Sequence, residues 1–463
     1  MLPHALRASR LPDAAGSETA SVNIRHRFFV FMLGMMPLLT ISAAIPASGS
    51  VFSVFAAVPP LGFVVLPWFA LSLHRRRTEV GQQGPTLPRE LSFLLFLWLG
   101  VALFSLIRDP ASLRFVAARF LFVGLVAMAY SALQEEEGRA YFQRLYLIAL
   151  FIISLLTFLH AYGVITIPLG DQIRARQLFS FLPNRTLGIR MSYGELGIML
   201  SLGFAFIFSR LFGKETRGNN WRYWLTFFML FLLLLVSQSR ASFLGFAVMC
   251  IAFGTLATAA RVLGQAGKLF IIMLGVSTLV STLVFGLGSF LQQIYYADTS
   301  TAGGRLLEYR FALRLLNEHP WFGVGYGAFN YLYVGRRGAE ALHNSFLHEF
   351  VSVGWLGGSV YLLIFAWAIF SLMKVIANPA LESSTRLSAV SLISALAATI
   401  TILNFFPGFY VEALAVILAL TAHHKQLSDR VSLSHDPVIK QSTSMPASMF
   451  ERRAVKNRKR LRY

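Results

Sequence analysis

Two stretches of the chain concentrate the side chains able to do chemistry: GGRLLEYRFALRLLNEHPWFGVGYGAFN, residues 303–330, and ALHNSFLHEFVSVGWLGG, residues 341–358. Arg305, Arg310 and Arg314 in the first, with Arg240 in the upstream SQSRAS segment, supply guanidinium groups. A guanidinium grips phosphate oxygens through two parallel hydrogen bonds, whereas an ammonium acts as a point charge, so these arginines suit an anionic ligand carrying phosphates. A departing diphosphate gains charge as its bond breaks, and fixed arginine donors in a partly dry site lower that barrier without a metal. His343 supplies the complement, because an imidazole with an ordinary pKa of ~6.5 is suited to removing the proton of an attacking hydroxyl. Two arginines and one histidine are therefore a sufficient minimal set for such a step.

Around this set lie residues with two readings each. Arg240 could snorkel from a helix end, Arg305 could anchor at an interface, and Arg310, a candidate substrate contact, shares with Arg314 the reading of an interfacial anchor. His343 could be satisfied by backbone, and Asn344 could cap a helix rather than touch substrate. Tyr326 and Trp321 could stack on sugar rings or sit in an aromatic belt. Pro320 stops a helix, and Gly323, Gly325 and Gly327 permit a tight backbone path. The Gly-x-Gly-x-Gly run neither follows a strand nor opens a helix as a dinucleotide fingerprint must, so nucleotide binding is rejected. No histidine spacing defines a metal site, Cys250 is the only cysteine, and no cofactor is expected.

The elements that must position these groups are membrane spans. Of 463 residues 56% are hydrophobic and 13% charged, against roughly a quarter charged in soluble domains. Apolar runs recur near 28–46, 51–73, 91–107, 112–133, 145–162, 192–209, 221–237, 242–258, 269–287, 346–373, 387–404 and 408–422, many near the ~20 residues needed to cross a bilayer as helix. The expectation is an all-α polytopic membrane protein with about twelve transmembrane helices. The first run ends in small residues like a signal peptide, but retaining it as a span gives a consistent charge topology. A net charge of +20 would suggest nucleic acid in a soluble protein; here the positive-inside rule accounts for it, and no nucleic-acid partner is expected. The same rule puts both termini in the cytoplasm, in segments 1–27 and 425–463, with spans at 28–287 and 346–424 and an external loop domain at 288–345. The basic tail reads as disordered and as meeting anionic lipid.

In the external loop Leu306, Tyr309, Leu313 and Leu316 fall at helical spacing beside a polar stripe of Arg310, Arg314 and Asn317, which predicts a helix that lies at the interface or caps a cavity. Arg119 falls inside the fourth span, where an unpaired charge costs at least ~2.5 kcal/mol. It should face a cavity, as a substrate contact, or pair structurally with an acid, for which Glu195 and Glu412 are the candidates. Arg190, Tyr193 and Glu195 form a second candidate polar rim.

These motifs resemble the O-antigen ligase/polymerase superfamily. The matching residues are Gly304-Arg305, His319-Pro320, Gly323-Val324-Gly325-Tyr326-Gly327, His343-Asn344, and Gly354 with Gly357, together with Arg240 at an outer helix end; by motif the resemblance covers roughly residues 235–360. One departure is Ser352, where many relatives carry Glu two residues before the glycine matched by Gly354; Glu349, about one turn earlier, is the candidate replacement. The resemblance implies a GT-C-like membrane glycosyltransferase with a periplasmic helical loop domain over the site, in a bacterial inner membrane. It implies an inverting transfer of a glycan from undecaprenyl diphosphate to a saccharide acceptor, lipid A core or nascent polysaccharide. The arginines matched by Arg240 and Arg305 then bind the diphosphate and His343 serves the acceptor. The rival from another class is a transporter or flippase for an anionic lipid or sugar, for which Arg119, Glu195 and Glu412 would line a pathway at mid-membrane depth.

Overall fold

A computed structural model describes residues 27–39, 86–162, 164, 193–213, 220–237, 239–264, 267–280, 301–326, 328–334, 342–405 and 412–434. Every regular element among them is helical. In chain order these are α1 (Arg89–Arg108), α2 (Leu113–Ala132), α3 (Glu136–Ala161), α4 (Tyr193–Leu211), α5 (Trp221–Ser237), α6 (Arg240–Ala259), α7 (Gly267–Val280), α8 (Thr301–Glu318), α9 (Ala328–Val334), α10 (Ser345–Ala377), α11 (Ser383–Leu403) and α12 (Glu412–Ser434), with helical residues 27–34 and Met36–Leu39 ahead of them and a 3-10 turn, Pro110–Ser112, between α1 and α2. Seven described helices are long and apolar enough to cross a membrane, α1 to α4, α6, α10 and α11, while α5 and α7 are shorter apolar helices. The run at 51–73 and the loop arginine Arg190 lie outside the described residues.

Local chemistry sets the helix ends. Pro88 precedes α1, and Asp109 leaves the helix in extended conformation. Glu136 and Glu137 open α3, where acids complement the positive end of the helix dipole. Ser239 caps α6, its Oγ accepting from the Ser242 N–H at 3.3 Å, and Asn344 caps α10, accepting from the Leu347 N–H at 2.9 Å. On α1 Phe93, Phe96, Phe104 and Ile107 are exposed, as a lipid-facing surface requires.

At the centre α11 packs against α4, α6, α10 and α12. Its small polar residues satisfy themselves within the helix: Ser391, Ser394 and Thr399 each donate to the carbonyl four residues back, at 3.0, 2.7 and 2.8 Å, so neighbouring helices approach closely without stranded hydroxyls. At the end of the bundle away from Arg240, Arg386 donates to the carbonyls of Ala260 at 2.6 Å and Ile376 at 3.1 Å, tying together the C-termini of α6 and α10.

Three expectations change. The expected span at 346–373 is broken: Gly354 takes φ 71° and ψ −173°, so α10 is two helices joined at a kink. Unbroken, 33 residues would reach about 50 Å, well beyond a hydrocarbon core of ~30 Å. The tail expected as disordered from residue 425 continues α12 to Ser434. Leu427 and Val431, one turn apart, pack on the core, and Lys425 bridges Asp429 at 3.1 Å and Glu90 at 3.6 Å. In α8 the buried face runs through Glu308, Ala312, Leu315 and Leu316, and Leu313 is exposed with Arg310 and Arg314, because the helix seats its other side on α9 and on the first half of α10.

Candidate functional site

The break in α10 builds the frame of the site. A helix interrupted inside an apolar bundle leaves backbone groups that must find partners, and the glycine loop supplies them. The Val351 carbonyl accepts from Val324 N–H and the Ser352 carbonyl from Gly325 N–H, both at 2.9 Å, while Trp355 N–H donates to the Pro320 carbonyl at 2.6 Å. Gly354 occupies a backbone region essentially restricted to glycine, and a Cβ there would collide with the backbone of Trp321 and Phe322. Gly323 has φ +62°, and a Cβ on it would collide with the Val351 carbonyl. The corner between α1 and α2 grips the same loop from the other side: Arg108 donates to the Gly323 carbonyl at 2.8 Å, and Tyr326 N–H donates to Ser112 Oγ at 2.9 Å. Sequence reading did not single out Arg108 or Ser112, which lie more than two hundred residues from the loop.

Beneath the loop is a sealed polar cluster. Arg119 from α2 forms an ion pair with Glu349 from α10, both side chains fully buried. The other Glu349 oxygen accepts from the Tyr326 hydroxyl at 2.9 Å and from Trp98 Nε1 at 3.3 Å. The Arg119 guanidinium lies 3.4 Å from the centre of the Tyr326 ring, and Phe115 and His348 flank that ring at 6.1 Å. This corrects the expected partners of Arg119. Glu195 and Glu412 instead lie close enough to each other for their carboxylate charges to repel. It also corrects Tyr326 as a sugar platform, because its ring is fully buried and its faces are covered. Glu349, the candidate replacement for the family's acid, is committed to Arg119, and Ser352 lies buried against His348, with Oγ 3.5 Å from Nδ1.

A second set of charges lies beside α8. Arg240 is exposed at the first position of α6, where the helix dipole adds positive potential. Arg305 is near enough that the two guanidinium charges repel each other. Among the described residues neither meets a carboxylate within ion-pair distance, and Arg305 Nε is buried with no hydrogen-bond partner. One turn along α8 from Arg305, Glu308 holds His343: the ring Nδ1 lies 3.1 and 3.3 Å from its two carboxylate oxygens, and the His343 backbone N–H donates to Oε1 at 3.2 Å. The Tyr309 hydroxyl donates to the His343 carbonyl at 3.1 Å, and burial raises the pKa of that phenol above its ordinary value. Residues three apart on a helix share a face, so α8 links Arg240, through Arg305 and Glu308, to His343.

Of the other candidates, Asn344 spends its amide oxygen as a helix cap and its Nδ2 on Asn404 Oδ1 at 3.3 Å. Arg310 and Arg314 are exposed on the outer face of α8, away from that link. Glu308 was missed in the sequence, although Arg305 and Glu308 at i and i+3 in a helical run carry a readable signal. Among the described residues no group of three or more His, Cys, Asp or Glu side chains is arranged to hold a metal ion.

Residues 225–362 match the family model described as O-Antigen ligase, a stretch that runs from α5 past the break in α10 and takes in Arg240, Arg305, Glu308, His343 and Gly354. No curated protein matches the chain.

Proposed function

Because the matched segment places this multi-pass membrane protein in the O-antigen ligase/polymerase superfamily, we propose that it transfers a glycan from undecaprenyl diphosphate to a sugar hydroxyl. The acceptor is lipid A core or a growing polysaccharide, and the anomeric centre inverts. A ligase- or polymerase-type role in polysaccharide biosynthesis is the coarser statement that the match supports. In the finer reading the loop of residues 288–345 faces the periplasm of a bacterial inner membrane, and both termini are cytoplasmic.

The observation that carries this reading is the pair Arg240 and Arg305: like charges near enough to repel, no carboxylate of the described chain within ion-pair distance of either, and a buried Arg305 N–H left over. Such a pair is costly until an anion bridges it. A lipid diphosphate fits that need, and its charge grows in the transition state, so the same contacts tighten as the bond breaks. In the proposed step the acceptor oxygen attacks the anomeric carbon while the carbon–oxygen bond to the diphosphate breaks. The electron pair of that bond leaves on the phosphate oxygen, and the acceptor proton passes to His343. Charge neutralisation comes from guanidinium groups, and the scheme calls for no metal.

Full-length protein in nanodiscs, given undecaprenyl-diphosphate glycan and a saccharide acceptor, is expected to form a glycosidic product with no energy source. Uptake of the lipid-linked sugar into vesicles without any new glycosidic bond would replace this reading with a transporter.

A further inference from the structure

We infer that Glu308 is a positioning residue that fixes which nitrogen of the His343 ring carries the proton, an inference that rests on the transferase reading above. The Glu308 side chain is 9% exposed and that of His343 is 30% exposed, so the carboxylate is screened from water while the imidazole reaches the surface of the site. A carboxylate can only accept hydrogen bonds, so the ring nitrogen facing it bears the hydrogen, and in the neutral ring the lone pair then sits on Nε2. The same carboxylate accepts the His343 backbone N–H at 3.2 Å, and Tyr309 donates to the His343 carbonyl at 3.1 Å. Consecutive residues of α8 thus clamp both the ring and the backbone of one histidine, on the helix that carries Arg305.

The arrangement has a consequence for the transfer. When the acceptor hydroxyl gives its proton to Nε2, the ring becomes a cation, and the nearly buried carboxylate on Nδ1 stabilises the charge formed. The Nδ1 hydrogen stays between ring and carboxylate, and Glu308 takes no proton. The orienting acid of a serine hydrolase acts on its histidine by the same physical logic.

The test uses full-length protein in nanodiscs with lipid-linked glycans and acceptor extracted from the membranes of the source cells. Glu308→Gln keeps the size but offers an amide that can donate to Nδ1 and favour the opposite tautomer. It is expected to lower kcat by about a hundredfold with KM for the donor changed less than about threefold. Glu308→Asp should recover at least about tenfold of that loss. On a His343→Ala background Glu308→Gln should cost nothing further, because Glu308 acts through that ring. An additive loss in the double variant overturns the inference in favour of a structural role. Full activity of Glu308→Gln alongside an inactive His343→Ala overturns it while leaving the transferase reading intact. Full activity of His343→Ala defeats the base assignment itself. Nitrogen NMR on histidine-labelled protein, with the signal assigned by its loss in His343→Ala, should show the wild-type proton on Nδ1 and a shift toward Nε2 in Glu308→Gln. A wild-type ring protonated on Nε2 alone overturns the inference independently of turnover.

Discussion

Arg119 and Arg305 are both guanidinium groups set at the end of the bundle that holds the glycine loop, and the fold treats them in opposite ways. Arg119 is sealed: Glu349 neutralises it, the Tyr326 ring covers it, and its Nη1 donates to the Phe115 carbonyl at 3.0 Å. Arg305 meets no carboxylate within ion-pair distance among the described residues and stands near a second guanidinium, Arg240. A charge whose partner is built into the chain serves the fold. One with no carboxylate partner among the described residues fits a ligand from outside. The contrast also weighs against the transport reading, since Arg119, its strongest intramembrane charge, is closed within the protein.

The largest expected effect falls on the open set. His343→Ala and Arg305→Ala should each lower turnover at least ~100-fold, with membrane insertion and thermal unfolding unchanged; near-normal turnover in both would erase the distinction between the two regions. The sealed set should behave in reverse. Glu349→Gln strands the Arg119 charge and should cost about 3–5 kcal/mol of stability, read as a lowered unfolding temperature in detergent. Changing Arg119→Met and Glu349→Leu together should cost less than Glu349→Gln alone, and a simple sum of losses would show that the pair is not coupled. Gly354→Ala is expected to destabilise by at least about 1–3 kcal/mol through backbone strain, with further loss as the loop is displaced; unfolding of the purified variant would check it. The smallest effects belong to Arg310→Ala and Arg314→Ala, exposed on the far side of α8. Each should change turnover less than about threefold, and a loss as large as that of Arg305 would extend the open set across the helix.

The apolar runs were legible because a span is written in local composition. The expected 221–237 coincides with α5, and the expected 91–107 lies within two residues of α1 at each end. Legibility failed where a polar sequence continues a helix. α3 starts at Glu136 rather than 145, since EEGRAYFQR is amphipathic and falls below a hydrophobic threshold while its tertiary contacts hold it helical. Arg240, Arg305 and His343 were legible from residue type and motif. Their linkage through Glu308 was not, because the acid and the histidine stand 35 residues apart in sequence.

By itself the sequence determined a membrane-embedded helical chain, the charge bias of its segments, and the residue types able to hold a phosphate and accept a proton. These properties reside in single segments, where composition and hydrophobic length decide the outcome. Tertiary structure alone decided that Arg119 meets Glu349 across 230 residues, that α10 breaks at Gly354 to receive the glycine loop, and that Glu308 clamps His343. Each of these is a contact between elements, so its energy depends on which helices pack together and in what register. No local pattern encodes that choice.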